Sequence, residues 1–337
     1  MSRVILHIGT EKTGTTSIQH LMFKNRQALL AKGVVYPNLG PRKDAHFDLV
    51  NTLHPLDNGG RFMEFLGPAN HSADFLWGKL QECISEHSDK TIVLSAEHFS
   101  SRLRENALKY MSDFFKKLNI SPEIIIYLRP QADYIESSYS TEIKAGSPKV
   151  FKTVMEEYQS QAMRYDYEKL VDLWVHFFGR DSIKVIPYEK SSIGHDIRLH
   201  FLSVIGVADN TGLDLDKTKL NEKWSNPMLE FARLANARMK HIQGQERLDF
   251  LTFAQGIIDT ELKPQPSHLM TLEQYNEVMA FYESSNSRMC QKYMPNHETL
   301  FVDEIKSKPF RETTTTPFLT HFDFMKIIHA FFQKGYA

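Results

Sequence analysis

Cysteine is scarce in this chain: Cys83 and Cys290 are the only two among 337 residues. That scarcity excludes a disulfide framework and a cysteine-built zinc centre, leaving at most one long-range bridge. An excess of one charge is missing too, with 40 Lys and Arg against 41 Asp and Glu. A sequence-independent nucleic-acid binder needs a basic excess to neutralise phosphates, so nucleic acid is not an expected partner. A local anion site needs only a few well-placed groups and stays open. Long apolar runs are absent, none approaching the roughly 18–20 residues of a membrane span, so no transmembrane segment is expected. The chain opens on Arg3-Val4-Ile5-Leu6-His7-Ile8, a strand pattern and not a signal peptide, which points to a cytoplasmic protein. Internal repeats and long low-complexity stretches are lacking as well. What is present is 42% hydrophobic and 12% aromatic residues, the composition of a packed globular protein.

Short apolar runs alternate with longer helical patterns. Val4–Ile8, Thr91–Ser95, Glu123–Leu128 and Ser182–Ile186 have strand length and are rich in Val and Ile. Ile18, Leu21, Met22 and Leu29 recur at helical spacing, as do Leu108, Met111, Phe115 and Leu118, and Leu170, Trp174 and Phe177. The unbroken Ile124-Ile125-Ile126 suggests a strand covered on both faces. The expected fold class is therefore α/β, a mostly parallel central sheet flanked by helices. Ligands of such sheets sit at the carboxyl ends of the strands. From about Asn221 onward helical patterns continue over Asn226–His241 and Leu272–Ser285 without a further strand. The expected division is a core over 1–210 and a helical C-terminal part over 211–337. Its tail, Phe318–Phe332, reads as a helix docking on the main body; a homodimer or membrane-surface contact is the alternative.

The first strand runs into Gly9-Thr10-Glu11-Lys12-Thr13-Gly14-Thr15-Thr16-Ser17, and a helix follows. Strand, glycine turn and helix N-terminus together point backbone N–H groups at an anion. Gly9, Gly14 and Thr16 keep the spacing of the nucleotide-triphosphatase loop, G-x-x-x-x-G-K-[ST]. The position after the second glycine is Thr15, however, and the lysine has moved back to Lys12. An ATP γ-phosphate would lose its usual partner there.

Gly9-x-x-Lys12-Thr13-Gly14-Thr15-Thr16-Ser17 resembles the 5′-phosphosulfate loop of sulfotransferases that use 3′-phosphoadenosine 5′-phosphosulfate (PAPS). Ile124-Ile125-Ile126-Tyr127-Leu128-Arg129-Pro130, continuing to Ser137-Ser138-Tyr139, is similar to that family's 3′-phosphate motif. Arginine at a strand's carboxyl end has a planar fork suited to phosphate. Ile183-Lys184-Val185-Ile186-Pro187-Tyr188-Glu189 is similar to the family's strand ending in Tyr-Glu, whose tyrosine contacts adenine in cytosolic members. The resemblance spans roughly residues 1–210 in order. It implies PAPS as sulfuryl donor and 3′,5′-adenosine bisphosphate as product. Lys12, Thr13, Gly14, Thr15, Thr16 and Ser17 would hold the phosphosulfate, Arg129 and Ser137 the 3′-phosphate, and Tyr188 the adenine.

Sulfuryl transfer needs positive charge at the departing oxygen and a base for the acceptor proton. Lys12 suits the first role. Members acting on heparan-type chains carry a Glu or His before the second strand, and Asp44-Ala45-His46-Phe47-Asp48 occupies that segment here. Histidine is the natural base near neutral pH, which makes His46 the first candidate. Glu97, in Ser95-Ala96-Glu97-His98-Phe99, is the second, and His98 the third. The reaction requires no metal, and zinc-binding spacings are absent. Lys219, Asn221, Lys223 and Ser225 are candidates for lining the site from the C-terminal side. The implied acceptor is a hydroxyl of a carbohydrate, a glycolipid or a small alcohol. Two other readings fit the glycine spacing: a nucleotide-dependent kinase, and a non-catalytic protein that binds a phosphorylated ligand.

Overall fold

The computed structural model describes residues 2–41, 44–215, 224–302, 309–314 and 318–334. Two compact units divide the chain, the first formed by 1–130, 162–220 and 283–303, the second by 131–161, 221–282 and 304–337. Each unit draws on three segments of the chain.

The first unit is built on a five-stranded, all-parallel sheet. Its strands are β1 (Arg3–His7), β2 (Val34–Val35), β3 (Thr91–Ser95), β4 (Glu123–Leu128) and β5 (Ile183–Pro187), in the order β2-β3-β1-β4-β5. Parallel pairing needs a crossover between strands, and a sheet covered on both faces selects near-continuous apolar runs. Pairing of Ile5 with Val93 and of His7 with Ile125 sets the register across the centre. Alternation along each strand sends Ile5, Val93, Ile125 and Tyr127 to one face. There they pack with Ile18, Leu21 and Met22 of helix α1 (Thr15–Lys24), and with Phe201 and Leu202. Both cysteines are free, Cys83 half-buried and Cys290 buried, so the one bridge the composition permitted is not formed.

The second unit is helical, with helices Gln131–Lys144, Asn226–Arg238, Gly244–Glu261 and His321–Lys334 among its elements. Phe231, Phe250 and Phe331 form its aromatic centre, with ring centroids 5.9–6.1 Å apart. The last helix docks through Ile327 and Ala330, while Phe322 and Phe332 stay 68% and 84% exposed. Asn236 and Arg247 donate to the carbonyls of Ile143 and Lys144, closing the end of helix Gln131–Lys144. A cleft of about 770 Å³ lies beside this junction, lined by Met239, Ile242, Leu248 and Phe250 among others. Among the described residues no helix is long and apolar enough to cross a membrane, and no strand follows β5.

Candidate active site

The loop between β1 and α1 is laid across the carboxyl end of β4. Ile8 N–H donates to the Ile125 carbonyl at 3.0 Å, and the Thr10 N–H and hydroxyl both donate to the Tyr127 carbonyl, at 3.2 and 3.0 Å. Ser100 Oγ donates to the Gly9 carbonyl at 2.6 Å, and Thr13 Oγ1 to the Thr10 carbonyl at 2.6 Å. These bonds hold a turn with three positive φ angles, +40° at Gly9, +71° at Lys12 and +78° at Gly14. A side chain at Gly9 would place its Cβ 2.7 Å from Thr15 Cγ2, so the loop lies too close to α1 for anything but glycine there. At Lys12 the left-handed backbone costs a non-glycine residue about 1–3 kcal/mol, which the surrounding bonds must offset.

Gly14 caps α1 without any side-chain hydrogen bond. Donors of the first helical turn are thereby left for an anion, and the positive end of the helix favours it. A Cβ at Gly14 would stand 3.3 Å from the Tyr188 hydroxyl and 3.1 Å from Ile197 Cγ2, filling the space beside the turn. Tyr188 follows β5 and is tied to β4 by its N–H to the Leu128 carbonyl at 2.5 Å. Arg129, next after β4, donates from Nη1 to the Lys12 carbonyl at 3.1 Å and lies 6.0 Å from the Tyr188 ring centre. Tyr167 donates in turn to the Arg129 carbonyl at 2.5 Å. Thr13 and Thr15 are buried within the turn, Ser17 is half-buried, and Thr16 is exposed on the first turn of α1.

Two carboxylates face this turn. Glu97, at the carboxyl end of β3, accepts from Gln19 Nε2 of α1 at 2.8 Å and makes no capping bond to the helix that follows it. Burial raises its carboxyl above the ordinary carboxylate range, against the opposing bonds from its own N–H, Gln19 and Thr15. Glu11, inside the loop, is paired with Arg164 Nη2 at 2.9 Å, Arg102 Nη2 at 3.6 Å and His98 Nδ1 at 3.7 Å. Burial pushes its carboxyl up, but those charges outweigh it and hold it below the usual range. The Lys12 ammonium is pushed below the ordinary lysine value by burial and by Arg129, while Glu11 and Glu97 act the other way.

His46 sits elsewhere in the chemistry. It is 2% exposed, its Nδ1 accepts from the Ser95 N–H at 3.0 Å, and its Nε2–H donates to the Pro37 carbonyl at 3.0 Å. Burial depresses its pKa to about 4, against the pull of the Pro37 and Ser95 carbonyls on the protonated ring. Both nitrogens are spent on holding the end of β3, two residues before Glu97, so neither is placed to take a substrate proton. The expectation of a basic imidazole at this position therefore meets a positioning geometry. His98 is stacked on Phe47 at 4.6 Å beside its contact with Glu11.

Lys12, Gly14, Glu97, Arg129 and Tyr188 are thus gathered in the first unit. Ser137 is carried by helix Gln131–Lys144 of the second. Lys219, Asn221 and Lys223 lie outside the described residues, and Ser225 caps helix Asn226–Arg238 by accepting from the Met228 N–H. Among the described residues one set has metal-ligand chemistry, Asp133, Glu136 and His268. Glu136 is engaged there by the N–H groups of Leu269 and Met270, at 2.6 and 2.9 Å, and by His268 Nδ1 at 3.1 Å. That is the pattern of a structural tie.

Sequence reasoning passes over Gln19, Arg164 and His7. His7 ends β1 beneath the loop, fully buried, with Nδ1 2.8 Å from Ser95 Oγ. Burial pushes its pKa down to about 3, so it stays neutral. Glu11 carried the one available signal, since an acid inside an anion-binding loop has to be neutralised by something.

No family model matches the sequence, and no curated protein does. Among solved structures, the chain is similar to a sulfotransferase from Alicyclobacillus acidocaldarius, with a TM-score of 0.40 and 16% identity over 75% of this chain and 96% of that one. At that distance the functional reading is left to the residues themselves.

Proposed function

We propose that this chain is a PAPS-dependent sulfotransferase that passes the sulfuryl group to a hydroxyl of a carbohydrate or glycolipid. The observation that carries the reading is the meeting of Lys12, Arg129, Tyr188 and Glu97 around the turn between β1 and α1. The residues fit the donor: a glycine turn at a helix N-terminus for the phosphosulfate, a second cation for another phosphate, and an aromatic ring beside it. A kinase of the triphosphatase type would want its lysine after Gly14, where Thr15 stands.

PAPS, as substrate, supplies a sulfuryl group already activated by a phosphate leaving group. The acceptor oxygen forms a bond to sulfur as the bridging bond to phosphate breaks, releasing 3′,5′-adenosine bisphosphate. Lys12 meets the charge that develops on the departing oxygen. Glu97, raised toward neutrality by burial, takes the acceptor proton. His46 holds the strand end that aims Glu97. Arg129 takes the 3′-phosphate, and Tyr188 lies against the adenine.

The test at the nucleotide end is Arg129→Ala. Loss of a charge-assisted phosphate contact, worth about 1.5–3 kcal/mol, should weaken 3′,5′-adenosine bisphosphate roughly 10- to 100-fold. Affinity for adenosine 5′-monophosphate should change less than about threefold, since only the loosened Lys12 carbonyl contact affects it. Equal losses for the two nucleotides would remove Arg129 from the 3′-phosphate site.

A further inference from the structure

Glu11 is unusual in its place. It lies in a turn whose purpose on the reading above is to receive an anion, and its side chain is only 15% exposed. Its partners come from two helices distant in sequence, Arg164 of Ala162–Tyr165 and both His98 and Arg102 of His98–Arg102. The next residue is Lys12, whose left-handed backbone is the strained point of the turn.

We propose that Glu11 is a positioning residue for the loop: anchored by Arg164, Arg102 and His98, it fixes the turn that presents Lys12 and remains its permanent negative neighbour. This role rests on the reading of the loop as the phosphosulfate site. The groups facing Lys12 are Glu11 in the loop, Glu97 at the end of β3 and Arg129 at the end of β4. Of the two carboxylates, Glu97 is the one that becomes neutral when it accepts the acceptor proton. Glu11 is kept ionised by its guanidinium partners, so it opposes burial and the Arg129 charge at every stage of turnover. Removing its charge lets Lys12 lose its proton at a lower pH.

The experiment is a calorimetric titration of the full chain with 3′,5′-adenosine bisphosphate between pH 6 and 10. In Glu11→Gln the alkaline loss of affinity should begin about one pH unit lower than in the wild type, a difference that reaches about threefold along the limb. Affinity at pH 7 should fall as well, since the turn loses its charged anchor, so the limb of each variant is read relative to its own affinity at pH 7. Glu11→Asp keeps the charge and should keep the wild-type limb, which carries the test if Glu11→Gln does not fold. A Glu11→Gln profile parallel to the wild type, or weakened equally at every pH, would overturn the proposal, as would a displaced limb in Glu11→Asp. Should the wild type bind no bisphosphate at any pH, the function itself fails, and this role with it.

Discussion

Lys12→Ala should lower the rate of sulfuryl transfer by about 100- to 1000-fold while weakening 3′,5′-adenosine bisphosphate by no more than about tenfold, since a preorganised charge is worth most where charge develops. The ground-state phosphate keeps the donors of the α1 N-terminus, left open by Gly14, and the Arg129 fork. The departing oxygen depends on the ammonium. Single-turnover rates separate the two quantities, and equal losses of rate and affinity would reduce Lys12 to a binding residue. Alanine still has to adopt φ near +71°, so Lys12→Gly serves as a control that relieves the turn without restoring the charge.

The second large effect concerns the proton. Glu97→Gln is expected to cut turnover by about 100- to 10,000-fold, the usual range for removing a general base, with bisphosphate affinity kept. Glutamine preserves the partnership with Gln19 at 2.8 Å, so shape is retained and only proton acceptance is lost. Because burial raises the Glu97 carboxyl, the acid limb of kcat should lie above the ordinary carboxylate value of 4.5, with activity rising as the pH rises through it. A carboxyl with a raised pKa is protonated, and idle as a base, on the low-pH side. His46→Ala should behave differently. It leaves the Ser95 N–H and the Pro37 carbonyl unpaired in a buried setting, costing about 1–3 kcal/mol of stability for each group. The folded fraction should still turn over. If His46→Ala abolishes turnover in a stably folded protein while Glu97→Gln does not, the roles assigned to the two residues are exchanged.

Those two residues also mark how far a sequence can be read. The strands Thr91–Ser95 and Glu123–Leu128 have the bounds their apolar runs imply, because both are buried on both faces and nothing competes with the pattern. β2 is two residues long, Val34–Val35, and too short to carry any period. Helix Gly244–Glu261 has its buried apolar face, Phe250, Leu251, Ala254, Ile257 and Ile258, only beyond its first six residues, and the polar start hides it. The loop was legible because glycine spacing and a displaced lysine are local facts. What neutralises Glu11 was not, since Arg102 and Arg164 come from 91 and 153 residues away, the separation of the residue numbers. His46 illustrates the same limit. Imidazole chemistry suggests a base, but two backbone groups brought in by the fold have claimed both nitrogens.

The most direct test of the function is calorimetric titration of the wild-type chain with 3′,5′-adenosine bisphosphate, repeated with ADP and with Mg-ATP. It needs no knowledge of the acceptor. The account predicts tight, metal-independent binding of the bisphosphate and weak binding of ADP. Preferential binding of Mg-ATP would contradict it and make the loop a variant kinase site.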